Sequence, residues 1–130
     1  MNGETDLNML LKTMKPRHNT GDFVFCSVNN TALINFTEII FLFKEAEGIT
    51  VILPKQSADK LKLPYSFTAA WITLTVHSSL QAVGFTAAFS KALSDNGISC
   101  NVVSAFYHDH IFVDKKEISK AMKVLNKFSE

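Results

Sequence analysis

No apolar run in this chain approaches the roughly 18 to 20 residues of a membrane-spanning helix. The opening MNGETDLNMLLKTM carries acids where a secretory leader carries lysines, and its apolar stretch is short and broken, so neither leader nor membrane association is expected. Cysteine is scarce. Cys26 and Cys100 stand apart and neither forms a CxxC pair, which argues against a disulfide framework and for reduced thiols in a cytoplasmic protein. The sequons at Asn29 and Asn35 then carry no weight. Charge of one sign is missing as well: 13 basic and 12 acidic residues leave a net +1. Without a field to gather phosphate backbones, nucleic-acid binding is not expected. The one basic cluster, KPRH at 15–18, reads as a solvated turn. Also absent are a nucleophile with its base, a paired acid and base, and a glycine-rich phosphate loop. An enzyme is therefore not expected, nor is a cofactor.

What remains is a chain of 130 residues, 47% apolar and 19% charged, enough for one ordinary domain or two very small ones. Residues 6–14 place Leu7, Leu10, Leu11 and Met14 on one helical face, with Thr5 or Asp6 as cap. DFVFCSV (22–28) reads as a strand and NNTALINF as a loop. EIIFLF (38–43) and ITVIL (49–53) form a hairpin through KEAEG, followed by a short helix within 54–63 opened by Pro54. In 69–76, Ala70, Ile72, Leu74 and Val76 alternate with Trp71 and Thr73: a strand with one apolar face. A helix over about 79–95 follows, with Phe85, Ala88, Phe89 and Ala92 on one face and Asn96-Gly97 as its stop. ISCNVVSAF (98–106) pairs with the return strand HIFV (110–113). Asp114 and Glu117 then open a last helix with the spacing of a capping box. Its apolar stripe runs through Ile118, Ala121, Met122, Leu125 and Phe128, and its lysines form a solvated face.

VILPKQSADK (51–60) and IFVDKKEISK (111–120) superimpose at an offset of 60, strand and helix start in register. The halves read as a reduced β-loop-ββ-α unit over 1–64 and a β-α-ββ-α unit over 65–130, two split βαβ patterns. Strand 69–76 could complete the first unit's sheet while opening the second.

In the second half a strand ends in the polar loop HSSLQAVG, Gly84 enters a helix, NGIS leads into the next strand, and DHIFV opens the third. This combination resembles the ACT domain, a ferredoxin-like regulatory module that binds amino acids or related metabolites. With FKEAEGITVILP (43–54) marking the first unit, the chain looks like a small stand-alone bacterial tandem-ACT protein over roughly residues 20–128. The fold expected is thus α+β, two tandem ferredoxin-like units. The resemblance implies a non-catalytic sensor, a homodimer, whose small-molecule ligand is an amino acid bridging two units. It implies a lining of His77, Ser78, Val83, Gly84, Phe85, Asn101, Val102 and Ser104. The loop lacks the aspartate-containing turn of many amino-acid-binding members.

Residue chemistry points to the same place. If the helix starts at His77-Ser78-Ser79, its first N–H groups suit a carboxylate. Gly84 leaves room for a ligand or for a packed strand, and Asp109 is an acceptor for an ammonium or simply a turn residue. His108 and His110 could be read as a metal clamp. A zinc site wants three protein ligands, however, and a hairpin turn spoils the geometry, so a turn with one strand histidine is the reading adopted.

Overall fold

A computed structural model describes residues 3–130. The chain forms α1 (Leu7–Thr13), β1 (Pro16–Val28), β2 (Phe41–Lys44), β3 (Ile49–Pro54), α2 (Lys55–Lys60), β4 (Thr68–Leu74), α3 (Phe85–Asp95), β5 (Asn101–Ser104), β6 (Asp109–Asp114) and α4 (Ile118–Asn126). These elements build two compact units that are not contiguous in sequence. One runs to Thr20 and resumes over Ala70–Glu130, and the other is Gly21–Ala69. The long strand β1 contributes to both.

In the larger unit the strand order is β1-β4-β6-β5. The alternation of β4 does what its sequence dictates: Ala70, Ile72 and Leu74 join Ile111 and Val113 of β6 in a core closed by α1, α3 and α4. Helix α1 contributes the fully buried Leu10 and Met14. Asp6 caps it, accepting a bond from the Met9 N–H at 3.0 Å. Helix α3 contributes Phe85, Phe89 and Leu93, the two rings meeting edge to face at 5.1 Å. Helix α4 buries Ala121, Val124 and Leu125, while Lys115, Lys116, Lys120, Lys123 and Lys127 are exposed. Asp114 does cap this segment, accepting from the Lys116 N–H, but the first turn is a 3₁₀ turn over Lys115–Glu117.

The smaller unit has three strands in the order β2-β3-β1 and one short helix, α2. Antiparallel register sets Cys26 opposite Val51 and Val51 opposite Leu42. Val24, Cys26, Ile34, Val51, Leu53 and Ala58 form its core. The buried Ser57 hydroxyl donates to Glu38 at 2.6 Å. Burial raises the Cys26 thiol pKa, and in the other unit it raises Cys100 to about 11. Both thiols are free.

Several expectations are corrected. The basic segment at 15–18 is not a turn: β1 starts at Pro16, and Thr75 donates to the Lys15 carbonyl from its N–H at 2.9 Å and its hydroxyl at 2.6 Å. The strand expected over 69–76 spans Thr68–Leu74, and its place in the larger unit from Ala70 onward decides a question the sequence left open. Residues 38–40 precede β2, because Asn35 caps a 3₁₀ turn over Phe36–Glu38. Strand β5 spans only Asn101–Ser104. The helix expected from about residue 79 starts at Phe85.

Candidate functional site

Residues 75–84 are a loop, and the amides of Ser78, Ser79, Gln81 and Ala82 are taken, not free as a helix start at 77–79 required. Ser78 N–H donates to the Val76 carbonyl at 3.0 Å, Ala82 N–H to the Ser79 carbonyl at 3.0 Å, and Gln81 N–H to the Ser79 hydroxyl at 3.1 Å. The N-terminal segment lies along this loop. Glu4 N–H donates to the His77 carbonyl at 2.8 Å, and Ser79 N–H returns to the Glu4 carbonyl at 2.9 Å, a parallel bridge opposite Ser78. Glu4 turns its carboxylate back to the Thr5 and Asp6 amides.

Gly84 is the N-cap of α3 at φ +92°, left-handed backbone that a side-chain-bearing residue enters at a cost of about 1 to 2 kcal/mol. A Cβ there would also stand 3.2 Å from the Leu7 Cδ2. Backbone conformation and the approach of α1 account for this glycine. The first intrahelical bond runs from Ala88 N–H to the Gly84 carbonyl at 2.9 Å, so the amides of Phe85, Thr86 and Ala87 have no partner inside the helix.

Against this helix start lies a polar pocket of about 60 Å³ whose walls include Ser78, Ser79, Phe85, Thr86, Ser104 and Asp109. Asp109, the first residue of β6, stands opposite Ser104 across the β5–β6 ladder. It is a strand residue rather than a turn residue, and only 6% exposed. Strand alternation sets it on the side of Ile111 and Val113. Among the described residues nothing forms a hydrogen bond or salt bridge with its carboxylate. Its oxygens open on the pocket, since no side-chain oxygen among the described residues is both fully buried and without a partner.

Ser78, Phe85, Ser104 and Asp109 thus line one cavity. His77 is next to it, its ring 5.6 Å from Tyr107 and 6.2 Å from Phe106. Gly84 acts as the cap. Val83 is 83% exposed. Val102 packs against the core, and Asn101 lies at the far end of β5, its amide nitrogen donating to the Phe112 carbonyl at 3.2 Å. Ser79 and Thr86 were missed. Placing the helix start at Gly84 instead of Ser79 is the sequence signal that finds Thr86.

The two histidines of the opposite sheet face make no metal centre. Their rings are edge-on at 6.4 Å, and among the described residues no three metal-ligating side chains converge. His108 Nδ1 is 3.2 Å from the Val76 carbonyl. His110 Nδ1 accepts from the Trp71 indole N–H at 3.0 Å and lies 3.1 Å from the Thr73 hydroxyl, which in turn accepts from Asn19 at 2.9 Å. The ring of Trp71 lies nearly parallel to that of Phe112, 6.2 Å away. His110 Nδ1 therefore carries no proton. Burial lowers the His110 pKa first, with His108 and Arg17 adding and Asp109 opposing. The folded state disfavours the imidazolium, so stability is fully present above the ordinary histidine range. It is lost as pH falls from about 6.5 through the lowered folded value. Urea midpoints measured across that window should decline for the parent chain and lose this part of the decline in His110→Asn.

The chain combines a ferredoxin-like α+β fold with a pocket at a strand–loop–helix junction, as a class of regulatory small-molecule-binding modules does. The chain belongs to the ACT domain family: ACT domain models match residues 2–70 and again 66–127. It is a tandem-ACT protein, and the family's modules are non-catalytic. Among solved structures it is similar to a Vibrio cholerae protein of unknown function, described as a possible transport protein. The two share 42% identity over 95% of this chain and 96% of that one, with a TM-score of 0.85. A protein from Agrobacterium tumefaciens shares the fold at 15% identity, TM-score 0.67, over 89% of each chain. The regulatory subunit of aspartate kinase from Thermus thermophilus does so at 7% identity, TM-score 0.65, over 92% of this chain and 99% of that one. No curated protein matches significantly. Among the described residues no helix is long and apolar enough to cross a membrane.

Proposed function

We propose that the pocket receives the zwitterionic head of a free amino acid. The observation that supports this is the pairing of opposite polarities on one cavity: the buried Asp109 carboxylate and the amide-bearing start of α3. In this reading the ligand carboxylate meets the Phe85 and Thr86 amides, where the helix dipole favours negative charge. Its ammonium meets Asp109 and the Ser104 hydroxyl, as charge-assisted bonds. A cavity of about 60 Å³ holds a head group and not a whole ligand, since ligand pockets span roughly 300 to 1,000 Å³. The remainder projects outward or displaces the loop at 77–84. Binding regulates by its differential affinity for two arrangements of the protein.

The same reading keeps a division of the sequence into 1–64 and 65–130, supported by the two family matches at 2–70 and 66–127. It also keeps a cytoplasmic homodimer. Two free cysteines support the compartment, and the small pocket within one unit supports a second copy that completes it.

The test is a thermal-shift panel of the standard amino acids, with matched amines lacking the carboxylate and acids lacking the amine. At least one amino acid should raise the midpoint, and neither fragment class should do so at equal concentration. Asp109→Asn should weaken binding at least tenfold, the low end of a charged hydrogen bond at about 1.5 to 3 kcal/mol. It should unfold no more readily than the parent, because a buried charge has been removed. No shift with any amino acid would favour a module that only builds an oligomer.

A further inference from the structure

Resting on that head-group reading, we propose that the tip of the β5–β6 hairpin selects the ligand's side chain, and that it selects large apolar or aromatic amino acids. Ser104 and Asp109, both on the pocket wall, face each other across the last rung of the ladder. The chain between them closes through the Ala105 N–H bond to the His108 carbonyl at 3.0 Å. Phe106 and Tyr107 are therefore the tip of the turn whose feet hold the ammonium site. Their rings meet edge to face at 4.9 Å, and both pack against the ring of His77, the neighbour of Ser78 in the pocket wall. Phe106 and Tyr107 are nonetheless 58% and 59% exposed. Exposed aromatic surface beside a polar pocket mouth is what an apolar ligand group would cover.

Charge narrows the class. The loop at 75–84 and the turn at 105–108 contain no lysine, arginine, aspartate or glutamate. Asp109 is committed to the ammonium, and Glu4 is turned onto the amides of Thr5 and Asp6. A cationic side chain reaching this rim would lose water and gain no free carboxylate, and an anionic one would meet only the imidazoles of His77 and His108, whereas an aromatic or branched aliphatic one gains ring contacts and buried area.

The experiment is calorimetric titration of the full chain with phenylalanine, leucine, alanine, lysine and glutamate, repeated on Phe106→Ser/Tyr107→Ser. Both positions are exposed, and the double variant's thermal midpoint controls for folding. Phenylalanine and leucine should bind the parent at least tenfold more tightly than alanine, lysine or glutamate. In the double variant the phenylalanine-to-alanine ratio should fall to near one. A flat ranking in the parent, a preference for lysine, or a ratio that survives the double substitution overturns the rim while leaving the head-group site standing. No binding by any of the five overturns the rim, and the head-group reading falls with it only when the panel of all standard amino acids also gives no shift.

Discussion

Replacing Phe89 by alanine is expected to remove about 3 to 5 kcal/mol of stability, the usual cost of emptying a buried aromatic position. Phe89 is fully buried in the core of the larger unit and braces Phe85 edge-on at 5.1 Å. The lost area accounts for only part of that cost. The rest comes from a cavity that α1, α3 and α4 cannot close, since each is held by its own buried residues: Leu10 and Met14, Leu93, and Leu125. Urea unfolding should show a large fall in midpoint with an unchanged slope. A loss below 1 kcal/mol, on the order of an exposed-site change, would mean that α3 does not pack as described. Phe85 also lines the pocket. The surviving folded fraction should therefore bind any head-group ligand more weakly, so that the same substitution links core packing to the site.

The sequence announced those parts of the molecule in which a local pattern and the tertiary environment agree. Alternation in β4 named Ala70, Ile72 and Leu74 as core. The 3.6-residue spacing in α1 named Leu10 and Met14, and the repeat of strand and helix start at an offset of 60 pointed to two units. Where pairing across the chain decides, the local pattern misled. The segment KPRH has turn-like composition, yet Pro16 onward is strand because Lys15 and Asn19 are bonded by Thr75 and Thr73, more than fifty residues away. SSLQAV has no residue that forbids a helix. It is a loop because Ser79 bonds Glu4 and because Gly84, in left-handed backbone, caps the helix after it. For Asp109 the residues alone left an ammonium acceptor or a turn residue open, and the structure makes it the first residue of β6. That it would be buried beside a helix N-terminus follows only from the order of β4, β6 and α3 in space.

Gly3→Ala is the second substitution expected to act strongly, and it tests a contact that no periodicity reveals. A Cβ on Gly3 would stand 2.6 Å from the His77 carbonyl oxygen, 2.6 Å from the Ser79 nitrogen and 2.7 Å from the Ser78 carbonyl carbon. All three are backbone atoms that cannot rotate aside, so the N-terminal segment itself must move. Moving it breaks both Glu4 bonds to the loop, a loss of about 1 to 3 kcal/mol at about 0.5 to 1.5 kcal/mol each. The chain should still fold, because Leu10, Met14 and the Asp6 cap hold α1 independently. The discriminating readout is local: amide hydrogen exchange at Ser79 should accelerate at least tenfold, which corresponds to about 1.4 kcal/mol of lost protection. Exchange at Leu93, deep in α3, should change only by as much as the global stability does. Substituting the exposed Asn8 with alanine should leave Ser79 protected. Unchanged exchange at Ser79 in Gly3→Ala would show that the segment does not strap the loop. Accelerated exchange would place one wall of the Asp109 pocket under the control of Gly3 and Glu4.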